Sequence, residues 1–371
     1  MRRADIRVLA IFSLLAFSGL FPADRMSSAQ ETLEQTSTSL LIPQQLLPLV
    51  HAPQVQQELE LSAAQIGELE AYFKEHDGAW FRGRILPAEK SKAGISQLEN
   101  DFWTWTKTKW KPKQIERLKQ LELQALGSRL FLRKEVETSL GLTSTQIQTF
   151  TAAAQTTENA QKKLQAAQQK GEDVQDLSKQ YQEALAAEQK LPAELLTAAQ
   201  KKQFSQLTGP AFDTQSLKRI FPMAPEFATG TEWINSSPLS LENLKGKVVL
   251  VHFYAFQCHN CHANFEIYRR WHEKYRGQDV VVIGIQSPET KSERDPQAVK
   301  KAAIEKKLDF PIIIDTEMKN WNNWSNTMWP TVYVIDKRGY LRHWWQGELN
   351  WQGATGDKVI EDVVATALQE E

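Results

Sequence analysis

All the cysteine in this chain of 371 residues lies in one short stretch, Cys258-His-Asn-Cys261, directly behind an apolar run from Val248 to Tyr254. That run is rich in β-branched and aromatic residues and reads as a buried strand. Beyond Cys258 the apolar positions Phe265, Ile267, Tyr268, Trp271 and Tyr275 recur at the spacing of a helix. A strand feeding a helix places Cys258 at the helix N-terminus, where unpaired backbone N–H groups and the dipole favour a thiolate. This is the setting of a reactive cysteine, and no third cysteine remains to form a bridge elsewhere.

The chain opens with Arg2, Arg3 and Arg7, followed by an almost wholly apolar run from Val8 to Phe21. A bilayer span needs roughly 20 apolar residues, so this shorter run suits the core of a signal peptide. Small residues at Ser27-Ser28-Ala29 offer a cleavage point before Gln30. Residues 1–29 are therefore expected to be a signal peptide, and the mature protein to be exported, in a bacterial periplasm. A net charge of -1 and an exported address both argue against nucleic acid as a partner.

Residues 40–208 have a helical pattern and few strand signals. They also repeat: Val55-x-x-x-Leu59-x-Leu61-Ser62-x-x-Gln65 returns as Val136-x-x-x-Leu140-x-Leu142-Thr143-x-x-Gln146. Leu196-Thr197-Ala-Ala-Gln200 is a shorter echo, and Gln114-x-x-x-Leu118-x-x-Leu121 resembles Gln200-x-x-x-Phe204-x-x-Leu207. A Ser or Thr placed three residues before a Gln is a capping box that starts a helix. The segment reads as an all-α domain built from a duplicated unit. Phe150 to Gln189, dense in Ala, Gln, Lys and Glu with a break at Gly171, reads as two long helices in a hairpin. Phe102, Trp103, Trp105 and Trp110 lie among lysines and are assigned to the helical core.

Gly209-Pro210, Pro222 and Pro225 break the helical pattern, so residues 209–220 are expected to be a linker with few contacts joining the two parts. In the second domain, residues 221–371, strand Val248–Tyr254 leads to the cysteine-bearing helix, which ends near Arg276. The expected order continues with strand Val280–Gln286, helix Pro296–Lys306, strand Phe310–Asp315, strand Thr331–Ile335, strand Tyr340–Gln346 and helix Asp357–Leu368. This is an α/β thioredoxin-like order of elements. Trp344 and Trp345, adjacent on a strand, must point to opposite faces, and core is the expected place for both.

The residues also carry a family resemblance. Met223-Ala-Pro-Glu-Phe227, Trp233-Ile-Asn and Leu241-x-x-Leu-Lys-Gly-Lys247 resemble the opening of exported TlpA/ResA-type redoxins. Asn260-Cys261, Val282-Ile-Gly-Ile285, Ser287-Pro-Glu289, Trp329-Pro330-Thr and Val334-Ile-Asp336 are similar to the thioredoxin-like domain of DipZ-type cytochrome c biogenesis proteins. The resemblance implies Cys258 as nucleophile, Cys261 as resolving thiol, and Pro330 as a cis-proline facing the pair, with Trp329 beside it on the substrate side. It implies thiol–disulfide exchange on a protein thiol or disulfide, no cofactor, and a membrane electron donor or acceptor. Apocytochrome c is the substrate it suggests. Two positions depart from the pattern. His252 stands where a buried Asp is usual, and Asn264 where ResA-like proteins carry Glu. His252 is either a base for Cys261 or a packing residue; His259, between the cysteines, is a candidate for tuning their pKa.

Two other chemistries fit the same letters. Cys258-His-Asn-Cys261-His262 also spells a c-type haem attachment sequence, but the strand before it, the helix after it and the downstream Trp-Pro-Thr strand favour the redox reading. Zinc needs further ligands at a recognisable spacing, and none is visible. The non-enzymatic alternative is a helical binding or chaperone-like module with the redoxin domain as a locked scaffold.

Overall fold

A computed structural model describes residues 41–370, apart from 171, 215–216 and 218–220. The export reading of residues 1–29, the expected break at Gly171 and part of the expected linker lie outside the described residues.

The helical part comprises α1 (Leu46–His51), α2 (Pro53–Glu58), α3 (Ala63–Arg82), α4 (Ala88–Lys109), α5 (Pro112–Leu126), α6 (Lys134–Leu140), α7 (Ser144–Lys170), α8 (Gln175–Leu195) and α9 (Ala198–Thr208). Ser62, Thr143 and Thr197 each form the capping box read from the sequence, their hydroxyls accepting the backbone N–H of Gln65, Gln146 and Gln200. The duplication has a physical counterpart. Gln65 Nε2 donates to Gln114 Oε1 at 3.0 Å, and at the matching place Gln146 Nε2 donates to Gln200 Oε1 at 2.9 Å. Each pair also reaches backbone carbonyls of the preceding turn, Gln114 to Leu59 and Gln200 to Gly141. Hairpin α3–α4 thus corresponds to hairpin α7–α8. Phe102 and Trp110 are buried, while Trp103 and Trp105 are half-buried against the same core.

The second part is a six-stranded sheet of β1 (Glu232–Ile234), β2 (Val248–Tyr254), β3 (Val280–Gln286), β4 (Ile312–Ile314), β5 (Thr331–Ile335) and β6 (Leu341–Gln346), in the order β1-β4-β3-β2-β5-β6. β3 and β4 continue the sheet in parallel from β2, whereas β5 and β6 are antiparallel. Helices α10 (His259–Lys274), α11 (Pro296–Glu305), α12 (Lys319–Asn323) and α13 (Gly356–Gln369) complete it. β1 and α12 were not anticipated; at three and five residues they are too short to show a period. Every residue of β2 is buried, with Leu250 and Tyr254 facing α10 and α13 and Val249, Val251 and Phe253 facing the other way. Trp344 and Trp345 follow the strand period, each half-buried against a different face.

The expectation of few contacts between the two parts is corrected. The sheet face bearing Val251, Tyr333 and Leu341 is apolar and needs cover, and the tip of hairpin α3–α4 supplies part of it through Phe81. Phe81 meets Tyr333 and Trp344 edge-on, with ring centroids 6.0 and 5.7 Å apart. Buried Asp77 adds a polar tie: one oxygen accepts from Met223 N at 2.8 Å and lies 2.7 Å from His51 Nε2. His51 Nδ1 in turn meets Leu47 O. Lys74 and Glu242 pair across the exposed rim.

Candidate active site

The end of β2 delivers Cys258 to the N-cap of α10, where its Sγ accepts the backbone N–H of Cys261 at 3.3 Å. Cys258 retains 8% exposure and Cys261 none. A hydrogen bond from the Cys261 side chain, aided by the backbone N–H groups of Cys261 and Asn260, holds the Cys258 thiol below its ordinary value against opposing burial. Burial, followed by the neighbouring Cys258, pushes the Cys261 thiol far up. One sulfur, slightly exposed, is thus the more easily ionised, and the other is a protonated donor beneath it.

The loop before the pair is tied down by Glu293. Its fully buried carboxylate accepts the backbone N–H of Gln257 at 2.7 Å, Glu289 at 2.9 Å and Thr290 at 2.8 Å. Sequence reasoning missed this residue. The signal that would have found it is the capping box Thr290-x-x-Glu293. Gln257 adds a second clamp, its side-chain oxygen accepting from Thr290 and Ser292.

The Trp329–Pro330 peptide is cis and leads into β5. Trp329 packs against the cluster containing both cysteines and donates from Nε1 to Ser287 O at 3.1 Å. Ser287 N in turn donates to Tyr254 O at the end of β2, so the proline loop and the cysteine loop share one anchor. Trp321 stacks on Trp329 at 4.0 Å between centroids, and neighbouring Met328 is exposed.

His252 lies on the α10 side of β2, wholly buried and stacked on Tyr268 at 3.8 Å, with Phe310 at its edge. Neither ring nitrogen has a hydrogen-bond partner, and no bond joins it to Cys261. Burial alone lowers its pKa to about 3, so the ring is neutral at working pH and a very weak base. Of the two roles expected for His252, this geometry favours packing. Asn264 is a strut, donating to Tyr268 Oη and Gly347 O and accepting from Leu349 N, which locks α10 to the segment after β6. His259 is exposed at the first residue of α10.

A haem would need both sulfurs free for thioether bonds and an available imidazole. Cys261 is instead sealed in the core, and His262 Nε2 is engaged by Phe256 O at 2.6 Å. No cluster of His, Cys, Asp and Glu able to hold a metal forms among the described residues.

Residues 222–344 match the AhpC/TSA family. The C-terminal part is a thioredoxin-like redoxin domain of that family. It is a domain of the thiol–disulfide oxidoreductase kind, its redox pair Cys258 and Cys261. DipZ of Mycobacterium bovis is 36% identical over 123 residues, covering 32% of this chain and 18% of DipZ. The chain therefore spans less than a fifth of that relative. The thiol-disulfide oxidoreductase YkuV of Bacillus subtilis is 28% identical over 146 residues, covering 39% of this chain and 94% of YkuV. Among solved structures, a thiol-disulfide isomerase from Corynebacterium glutamicum is similar at 26% identity and a TM-score of 0.34, covering 40% of this chain and 98% of that one. This AhpC/TSA-type domain follows the helical part in a single chain.

Proposed function

We propose that the protein is an exported thiol–disulfide oxidoreductase acting on protein thiols and disulfides. The observation that carries this reading is the asymmetry of the pair, a helix-capping Cys258 with a lowered pKa above a buried Cys261 with a raised one. In the reductive direction the Cys258 thiolate attacks one sulfur of a substrate disulfide, forming a mixed disulfide and expelling the other sulfur as a thiolate. Cys261 then gives up its proton to that leaving thiolate and attacks Cys258 Sγ. The second substrate sulfur departs as a thiolate that water protonates, so the substrate gains two electrons and the pair becomes a disulfide. Oxidation of a dithiol runs the same steps backwards. Trp329, packed against the cluster that holds both cysteines, and the adjoining cis Pro330 receive an extended substrate segment by strand-like pairing. His259 flanks Cys258 as the exposed first residue of α10.

The export reading draws on the charged start and apolar run of residues 1–29. A membrane carrier is the electron donor or acceptor proposed for such a redoxin; no helix among the described residues is long and apolar enough to cross a membrane. Exchange with insulin is expected to vanish in Cys258→Ala, and Cys261→Ser should accumulate mixed disulfides with the natural partner. A reduction potential below about -300 mV, typical of a structural bridge, would return the function to the helical part and refute the proposal.

A further inference from the structure

The helical domain reaches the loop before Pro330 through two arginines at the tip of hairpin α3–α4, and Arg84 makes most of the contacts. Arg84, in the turn Gly83–Ile85 that closes hairpin α3–α4, lies flat over Phe81 with its guanidinium carbon 3.5 Å from the ring centroid. Its Nη2 donates to Trp324 O at 3.0 Å, Ser325 O at 2.9 Å and Tyr333 Oη at 3.2 Å, and its Nη1 to Phe81 O at 2.9 Å. All four acceptors are neutral oxygens, so a half-buried cation is spent on holding backbone. Only the planar fork of arginine can address that many at once.

The backbone it holds is the loop from Trp324 to Trp329, which joins α12 to the cis-proline. Ser325 needs holding, because its φ of +48° lies in the left-handed region that a side chain disfavours. Arg82 Nε reaches the same residue at Ser325 Oγ, 3.3 Å away. The tie continues inward. Tyr333 Oη donates to Asn326 Oδ1 at 2.8 Å, and Asn326 Nδ2 donates to Met328 O at 3.0 Å. Thr331 Oγ1 donates to the same Met328 carbonyl from the far side of Pro330. A continuous run of hydrogen bonds thus leads from the hairpin tip to the residue before Trp329-Pro330.

We infer that Arg84 is a positioning residue: the helical domain sets the shape of the loop that receives the substrate, acting through Tyr333 and Asn326. This rests on the redox reading above and assigns the helical domain a part in it. The inference predicts a defect confined to substrates that lie along the loop.

The test uses the full chain and two probes, a short extended peptide carrying a glutathionylated cysteine and dithiodipyridine, a small disulfide that needs only Cys258. Arg84→Met should raise KM for the peptide about tenfold, with kcat and the dithiodipyridine rate near those of the parent. Tyr333→Phe, which keeps the ring and its packing, should do the same and carries the test should Arg84→Met fail to fold. The double variant should be no worse than the worse single one, because both cut the same run. Lys74→Ala, which breaks only the exposed rim pair with Glu242, should leave KM unchanged. An unchanged peptide KM in Tyr333→Phe, or both probes slowed alike, would overturn the inference. A parent inert towards dithiodipyridine would remove the redox reading and this one with it.

Discussion

Replacing Glu293 by Gln isolates what holds the cysteine loop in place. The carboxylate accepts three backbone N–H groups, one on the Gln257 side and two on the Glu289–Thr290 side. An amide has one accepting oxygen. Turned towards Glu289 and Thr290, it keeps two bonds in weaker, uncharged form and sets its own N–H2 against the N–H of Gln257. Three charge-assisted bonds at about 1.5–3 kcal/mol each would become two neutral ones at about 1 kcal/mol, offset in part by no longer burying a charge. The net loss should be about 3 kcal/mol of redoxin stability. The chemistry should change in step. The largest influence lowering the Cys258 pKa is its hydrogen bond with Cys261 across the turn, and a slack turn weakens it. The pH midpoint of iodoacetamide alkylation at Cys258 should therefore move up, alongside a lower urea midpoint. An unchanged urea midpoint would show that the carboxylate holds nothing. A downward move of the alkylation midpoint would show that Glu293 acts through its charge and not through the loop.

Cys261→Ala removes the leading cause of the depressed Cys258 pKa, so alkylation of Cys258 should shift to higher pH and slow near neutrality; an unshifted profile refutes the assignment. His252→Ala should cost about 2–4 kcal/mol through the cavity left under Tyr268 while the mixed disulfide resolves at the parent rate in stopped flow. Accumulation of the mixed disulfide would make His252 a base after all. Burial, reinforced by Glu122, raises Glu99 in the helical part from 4.5 to about 7. Its ionisation therefore costs the folded state nothing below about pH 4.5, progressively more up to pH 7, and about 3 kcal/mol above that. Glu99→Gln should accordingly raise Tm at pH 8 and leave it unchanged at pH 4.

Local chemistry was legible in the sequence and long-range docking was not. Val248–Tyr254 announced a buried strand because its composition suits no other place, and Ser62, Thr143 and Thr197 announced helix starts because a cap acts within four residues. Cys258 could be placed at a helix N-terminus from the change of period alone. Arg84 could not be read, since its meaning lies in carbonyls 240 and 241 residues away. Glu293 looked like one more charge in Lys-Ser-Glu-Arg, and its burial follows from three N–H groups converging on it. Asn264 was read as a missing carboxylate; the space that a carboxylate would occupy is filled by an amide, which can both donate to Gly347 O and accept from Leu349 N.

Duplication of the helical unit leaves the molecule with two hairpin ends under unlike obligations. The end between α3 and α4 must fit a fixed surface, and it spells Trp80-Phe81-Arg82-Gly83-Arg84. Adding or removing a turn there would carry Arg84 about 5 Å from its carbonyls. The corresponding end between α7 and α8 lies in a run of Gln, Lys, Glu and Asp, and the helix leading to it is 27 residues long against 20 in α3. Among the described residues there, Gln168, Glu172 and Asp173 are exposed, so that hairpin is the place where the chain can be lengthened, shortened or fused to another protein without disturbing the chemistry at Cys258.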